Sequence, residues 1–410
     1  MSRGTTSSRV RRIAVVQHGD YRAALELIGA GRPEGYFGMK YSLEVLGRLL
    51  TDTPHLVVSL NAPSYAVSQG QGRLVGLPVP SYPRPIPGKL AMHVWTHRVL
   101  QEVRRFRPTH LLLRSGTPVL GTAILDYCAR HDVNVCVILA NVMGPYQGIW
   151  SRYYLHRFVH RLNGPTVRLV GNHKQVATQS MIACGVREHK TLAWDWPGQR
   201  HPREYPCKSL PPGGVIEIVY VGAMSEAKGV GDLIAAVALL QASGRDVGLR
   251  LFGDGTDMAQ IRKQATSCRN VSVLGRVGNE EAFQAMLRCT LVCVPSRHEF
   301  SEAMPLSLTE ALASRTPVVA SDHPVFVRAF LDGQGLMFFR AKDPHSLASK
   351  VLRIVDEPGL YEQLSATTSE AFARVECRTS FGDLIERWVD RFGDPGQQDS
   401  RSDIRTASLI

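Results

Sequence analysis

Three consecutive runs fix the reading of the fold: Leu291-Val292-Cys293-Val294-Pro295-Ser296, then Glu302-Ala303-Met304-Pro305-Leu306-Ser307-Leu308-Thr309-Glu310, then Pro317-Val318-Val319-Ala320-Ser321-Asp322. The outer two are short, apolar and bounded by turn residues, which predicts buried strands. The middle one predicts a helix, so the unit is strand, helix, parallel strand. Pro305 suits the first helical position, where its missing N–H costs nothing. The N–H groups of a first helical turn lack partners inside the helix and, with the macrodipole, form an anion site. Glu310 then lies roughly 7 Å along the helix, and Glu302 on the loop before it. Both glutamates fall at the C-terminal end of a parallel strand, where open α/β sheets bind ligands.

The order is carboxylate, anion socket, carboxylate. A nucleotide sugar presents the matching order of sugar hydroxyls, diphosphate and ribose hydroxyls, and a carboxylate accepts two O–H donors at once. The same segment, from Pro295 to Asp322, resembles the donor site of glycosyltransferase family 4, a retaining family with the GT-B fold. Members carry two glutamates separated by seven residues, then Ala, a hydrophobic residue and Ala, then a Thr-Pro-Val-Val strand. This chain has Glu310-Ala311-Leu312-Ala313 and Thr316-Pro317-Val318-Val319. Val219-Tyr220-Val221-Gly222, with Lys228-Gly229 after it, resembles the first strand and phosphate loop of the family's donor domain. Leu251-Phe252-Gly253-Asp254-Gly255 and Val273-Leu274-Gly275-Arg276-Val277 resemble its next strand ends, and Asp343-Pro344 with Leu347-Ala348 resembles a late helix opening. The resemblance is dense over residues 215–375 and thin before them. It implies an α/β chain of GT-B architecture, two Rossmann-like parallel-sheet domains facing a central cleft.

Bulk properties agree with two domains. The chain has 410 residues, 44% hydrophobic and 20% charged, enough for two cores. No run reaches the ~18 to 20 apolar residues that span a bilayer. The polar, basic start passes directly into a strand, so no secretory signal is expected. Eight cysteines are scattered without a Cys-x-x-Cys pair, which suits a reducing cytoplasm rather than disulfides or zinc. The formal net charge of +12 favours anionic partners. No motif with base-reading chemistry occurs, so nucleic acid ranks last. Arg104, Arg105 and Arg107 flank Phe106, and residues 150–161 interleave Trp150, Arg152, Tyr153, Tyr154, His156, Arg157, Phe158, His160 and Arg161. Such a pattern fits an anionic membrane surface, bound from the cytoplasmic face. It equally fits a solvated helix face whose aromatics are core.

The first half reads as alternating strands and helices, hence a parallel sheet covered on both faces. Residues 12–16, 56–60, 110–113 and 133–139 are strand-like, and residues 41–50, 123–130 and 175–184 helical. The domain organisation expected is an acceptor-binding domain over residues 1–200, a Pro-rich linker over 201–214, and a donor-binding domain over 215–380. By resemblance, a last helix over 381–392 crosses back to the first domain. The polar composition of residues 393–410 predicts a disordered tail.

Transfer from a nucleotide sugar leaves a diphosphate anion, which the site must stabilise above all. The resemblance assigns Lys228 to that phosphate, unless it is only a surface lysine. Glu302 is assigned to the sugar hydroxyls and the developing positive charge, and Glu310 to the ribose. The N–H groups around Met304, Pro305 and Leu306 are assigned to the diphosphate. Gly222 ends the first strand, and Gly275, Arg276 and Val277 border the base, unless they are an ordinary strand-end turn. Where members usually carry an arginine, this chain has Ala223; Arg297 is the candidate substitute. Where members often carry a histidine in the first domain, this chain has Asn141. His18 lies near the expected cleft, as a catalyst or as a structural hydrogen-bonder. Gly35 and Gly38 serve either the approach of backbone to phosphate or only a turn. No Asp-x-Asp occurs, so no metal and no cofactor are expected beyond the nucleotide sugar itself.

The reading is therefore a retaining transferase that moves a hexosyl unit from a nucleotide-diphosphate sugar to a glycan or polyprenyl-linked acceptor in cell-surface polysaccharide synthesis. The alternative is a catalytically weak GT-B protein that binds a nucleotide sugar and assists a partner, for which Ala223 and Asn141 speak. A Rossmann oxidoreductase has no support, since no Gly-x-Gly-x-x-Gly follows the first strand of either half.

Overall fold

The computed structural model describes residues 10–392, apart from 33, 36, 37, 80–87, 145–147, 198, 199, 211–213, 301 and 303. Among the described residues, eight strands lie in the first half: β1 (Ile13–His18), β2 (His55–Leu60), β3 (Tyr65–Gln69), β4 (Gly72–Leu77), β5 (His110–Arg114), β6 (Asn134–Leu139), β7 (Val167–His173) and β8 (Thr191–Trp194). They form one sheet in the order β3-β4-β2-β1-β5-β6-β7-β8. Every pairing is parallel except the β3–β4 hairpin at the edge. Six more strands follow: β9 (Ile216–Val221), β10 (Val247–Phe252), β11 (Val271–Gly275), β12 (Leu291–Val294), β13 (Val318–Ser321) and β14 (Leu336–Phe339). Their order is β11-β10-β9-β12-β13-β14, and all pairs are parallel.

Alternation along β1 shows why both faces are dry. Ala14 and Val16 enter one core with Trp95, Leu120, Ile124 and Phe158; Ile13 and Val15 enter the other with Met39, Leu43 and Leu46. That second core is completed from the far end of the chain. Phe381, Leu384, Ile385 and Trp388 of the helix Phe381–Phe392 pack into it. Trp388 Nε1 donates to Asn134 Oδ1 at 2.8 Å. The helix Phe381–Phe392 thus packs against the first sheet.

The two crossing segments meet at Asp195. Its N–H donates to the Thr379 carbonyl at 2.9 Å, and its carbonyl accepts from Phe381 N–H at 3.0 Å. The Asp195 side chain pairs with Lys174 and, at 3.0 Å, with His173. Burial pushes the Asp195 carboxyl up, but the His173 hydrogen bond and the Lys174 charge outweigh it, so the net direction is down.

Several elements differ from the sequence reading. Pro305 is not the first helical residue but the N-cap of the helix Leu306–Ala313, with φ −63° and ψ 131°. The polar stretch after residue 200, read from sequence as a linker, is tied to the second domain by side-chain hydrogen bonds. Lys208 Nζ donates to the Met286 carbonyl at 2.9 Å and to Thr316 Oγ1 at 2.6 Å. Arg315 Nε donates to the Pro202 carbonyl at 2.9 Å. The hairpin β3–β4 and the helix Gly88–Phe106 were not anticipated. The tail expected over residues 393–410 lies outside the described residues. Among the described residues, no helix is long and apolar enough to cross a membrane.

Candidate active site

The second sheet reverses strand order between β9 and β12, and ligands of open α/β sheets bind at such a switch point, beyond the strand C-termini. Gly222 directly follows β9. Its N–H donates to the Phe252 carbonyl at 3.0 Å, fixing the end of β9 against β10. A short 3₁₀ turn, Glu226–Lys228, follows and is closed by Gly229 at φ +70°. A Cβ at Gly229 would fall onto the Pro295 carbonyl. Glycine thus satisfies both a left-handed backbone and close packing of two loops. Arg297 N–H donates to the Ala227 carbonyl at 2.9 Å and ties the same loops together. Gly229→Ala is expected to destabilise the fold by at least about 1–3 kcal/mol from backbone strain, with Lys228 displaced as well. A melting curve beside a nucleotide titration checks both effects.

This packing delivers Lys228 to Glu302. Lys228 Nζ forms an ion pair with Glu302 Oε1 and lies 4.2 Å from the centre of the Phe300 ring. Ser296 Oγ donates to the same Glu302 oxygen at 2.6 Å. Glu302 is 6% exposed, so its charge is held by two donors rather than by water. The two residues assigned to the leaving group and the sugar therefore stand together. Close by, His323 Nε2 meets the Phe300 carbonyl at 3.0 Å. Burial is the leading influence on His323 and lowers its pKa.

Met304 is buried, and among the described residues the helix Leu306–Ala313 has neither a side-chain cap nor an acidic residue in its first turn. The N–H groups near Pro305 and Leu306 therefore keep the anion-binding character of a helix start. Further along, Glu310 Oε1 accepts from Asn279 Nδ2 at 2.8 Å and from Arg200 Nη1 at 3.0 Å. The Arg200 guanidinium sits 4.0 Å from the Phe283 ring centre. Burial raises the Glu310 carboxyl, and Asn279 and Arg200 pull it back only in part. Sequence reasoning missed Arg200, Asn279 and Ser296. Arg200 and Glu310 are 110 positions apart, and no local pattern links them.

Arg297 does not replace the arginine missing at Ala223. Its Nε and Nη2 grip Asp232 at 2.8 and 2.9 Å, and Nη1 meets Glu226 at 2.8 Å. The Asp232 hydrogen bond leads the effects that push its pKa up. Its charge is spent on joining loops. Gly275 adopts φ +76°, and its carbonyl accepts from Gly253 N–H at 2.7 Å. Arg276 reaches the first domain, where Nη2 donates to the Glu34 carbonyl at 3.2 Å and to the Gly35 carbonyl. Val277 packs against the core under the helix Leu306–Ala313.

On the opposite side, the turn role explains Gly38. It sits at φ +82° ahead of the helix Met39–Leu50, and a Cβ there would enter the Trp196 ring. Its N–H donates to Glu34 Oε2 at 3.0 Å, so a carboxylate of the chain already caps that helix. His18 ends β1 and meets Ser115 Oγ at 3.0 Å. Burial lowers its pKa, which favours a neutral ring. Asn141 follows β6, lies over Gly116, and has its carbonyl held by Asn172 Nδ2 at 3.0 Å. His18 and Asn141 thus share the C-terminal edge of the first sheet, at its own β1/β5 switch point.

The chain is similar to known proteins in sequence over part of its length and in fold over nearly all of it. Residues 203–371 match the family model described as glycosyl transferases group 1. A phosphatidyl-myo-inositol mannosyltransferase from Mycolicibacterium smegmatis is 30% identical over 161 residues, covering 39% of this chain and 41% of that protein. A glycogen synthase from Mycobacterium tuberculosis is 29% identical over 167 residues, covering 40% and 37%. The chain thus matches about two fifths of the length of these curated relatives. Similarity of structure extends further. The crystal structure of Anabaena Alr3699/HepE in complex with UDP superposes with a TM-score of 0.60 at 14% identity, covering 94% of this chain and 100% of that one. Sucrose-phosphate synthase from Thermosynechococcus elongatus gives 0.59 at 14% identity, covering 93% and 97%. The fold is GT-B, with two parallel-sheet α/β domains.

Proposed function

We propose that this chain is a retaining glycosyltransferase that moves a hexosyl unit from a nucleotide-diphosphate sugar to a glycan or polyprenyl-linked acceptor. One observation carries the reading. Lys228, Glu302, the uncapped start of the helix Leu306–Ala313 and Glu310 converge at the β9/β12 switch point. Glu310 takes the ribose hydroxyls, Lys228 and the helix start take the diphosphate, and Glu302 faces the sugar. The cationic elements are a lysine and backbone N–H groups, which supports departure of the diphosphate without a metal. The mannosyltransferase relative is named for a lipid acceptor, phosphatidyl-myo-inositol, which supports a lipid-linked acceptor and a role in cell-surface glycans. His18 and Asn141 line the acceptor edge. The test is release of nucleoside diphosphate from a panel of nucleotide sugars, with product stereochemistry read by NMR. Retention of the anomeric configuration is expected; inversion would refute the stereochemical part.

A second reading is favoured by one specific observation. Ala223 supplies no side-chain donor, and Arg297 is engaged by Asp232 and Glu226. The diphosphate site therefore holds one cation fewer than expected, as a weakly catalytic, nucleotide-sugar-binding GT-B protein would. Donor binding without turnover across a pool of acceptors would establish it.

A further inference from the structure

The helix Ile149–Leu162 has two unlike faces. Leu155, Phe158, Val159 and Leu162 recur at helical spacing and pack into the first core. The opposite face exposes Ile149 at 79%, Trp150 at 58% and Tyr153 at 48%. These three sit at spacings of three and four, so they form one patch. Trp150 and Tyr153 rings pack edge to face with centres 6.3 Å apart, and Tyr154 continues the row 5.5 Å from Tyr153. Val94, on the neighbouring helix Gly88–Phe106, is 40% exposed, and His93 beside it meets Tyr154 with ring centres 6.5 Å apart. The aromatics at this end of the helix are therefore not core.

The charge on the same helix has one sign. It carries Arg152, His156, Arg157, His160 and Arg161 and no acidic residue. Arg157 and Arg161 lean on Asp126 of the helix beneath. Arg152 and His156 project from the exposed face. The helix follows β6 and runs back along the sheet, so its first turn stands at the strand C-terminal edge. That is the edge holding His18 and Asn141. An exposed Trp-Tyr-Ile cluster ringed by basic residues has the chemistry of a surface that sits among anionic lipid headgroups.

We infer that the first turns of the helix Ile149–Leu162 dock this chain on an anionic bilayer, with Ile149, Trp150 and Tyr153 in the headgroup layer and Arg152 against lipid phosphates. The surface would bring the acceptor edge of the cleft to the membrane; that consequence rests on the proposed function, while the docking itself does not. The test is flotation of the full chain with phosphatidylcholine vesicles, with and without phosphatidylglycerol, in the absence of nucleotide. Binding is expected only with phosphatidylglycerol and should fall as salt shortens the Debye length from about 10 Å at 0.1 M to about 3 Å at 1 M. Trp95, Trp194 and Trp388 are buried and the part-buried Trp196 is packed on Trp194 and Phe381, so a blue shift of tryptophan emission on binding should come from Trp150 and disappear in Trp150→Phe. Arg152→Glu should weaken binding at least about fivefold, with its melting temperature kept. Absence of binding would overturn the inference. So would binding indifferent to Trp150→Phe, Tyr153→Ala and Arg152→Glu, or a concentration-dependent dimer that Trp150→Ala abolishes. Nucleotide-induced stabilisation measured on the same variants should be unchanged, which separates failure of docking from failure of the donor site.

Discussion

Lys228→Met is expected to lower transfer from a nucleotide sugar by about 10²–10³, the usual loss when one electrostatic stabiliser of a developing charge is removed. Among the described residues, the lysine is the side-chain cation paired to Glu302, and Ser296 donates to the same carboxylate. Its removal leaves Glu302 buried without a counter-ion. Breaking a buried ion pair from one side costs about 3–5 kcal/mol, so the melting temperature should fall as well. The two effects separate in the double variant Lys228→Met/Glu302→Gln. Replacing both charges at once restores much of the stability, because no lone charge stays buried. Activity should not return with it. Steady-state kinetics and melting curves on the two variants check this. Recovery of activity in the double variant would mean that the pair is only structural.

Glu310→Gln is expected to behave in the opposite way, gaining stability while losing nucleotide affinity. Burial is the leading influence on this carboxyl and raises its pKa. The folded protein therefore holds the Glu310 proton to higher pH than the unfolded chain does. Stability falls wherever the native state binds more protons. The contribution of Glu310 is thus largest below the ordinary value of 4.5 and declines as pH rises from there through the raised folded value. Glutamine has no such decline. The melting temperature of the variant relative to the parent should rise across that window and then level off. Nucleotide affinity should drop about thirtyfold, the equivalent of about 2 kcal/mol for lost charged hydrogen bonds. A carboxylate that lowers the stability of the empty protein and raises its affinity for a ligand is kept for that ligand. Equal affinity in parent and variant would remove Glu310 from the ribose site.

Much of this site was legible because its signals are local. Apolar runs flanking the segment from Glu302 to Glu310 gave β12, β13 and the helix between them, and Lys228-Gly229 marked the loop after β9. Long-range partners were not legible. Arg200 reads as one polar residue in a Pro-rich stretch, yet folding places it on Glu310. Arg297 reads as a loop cation near a phosphate, yet Asp232 and Glu226 claim it. The aromatics of residues 150–161 left core and surface open, because alternating large residues satisfy either. Packing divided them, with Phe158 inside and Trp150 and Tyr153 outside. Glu34 could not be recognised as the cap of the helix Met39–Leu50, since it precedes the helix by a loop.

The most direct test of the donor site is a thermal-shift panel of nucleoside diphosphates and nucleotide sugars, with and without EDTA, on the parent chain and Glu310→Gln. A ligand at 100 times its Kd adds about 2.7 kcal/mol of stability, a readable shift. Stabilisation by one nucleotide class, indifferent to EDTA and diminished in Glu310→Gln, is the predicted result. No stabilisation by any nucleotide, or a shift that Glu310→Gln and Lys228→Met both leave intact, would contradict the assignment of the β9/β12 switch point as a nucleotide-sugar site.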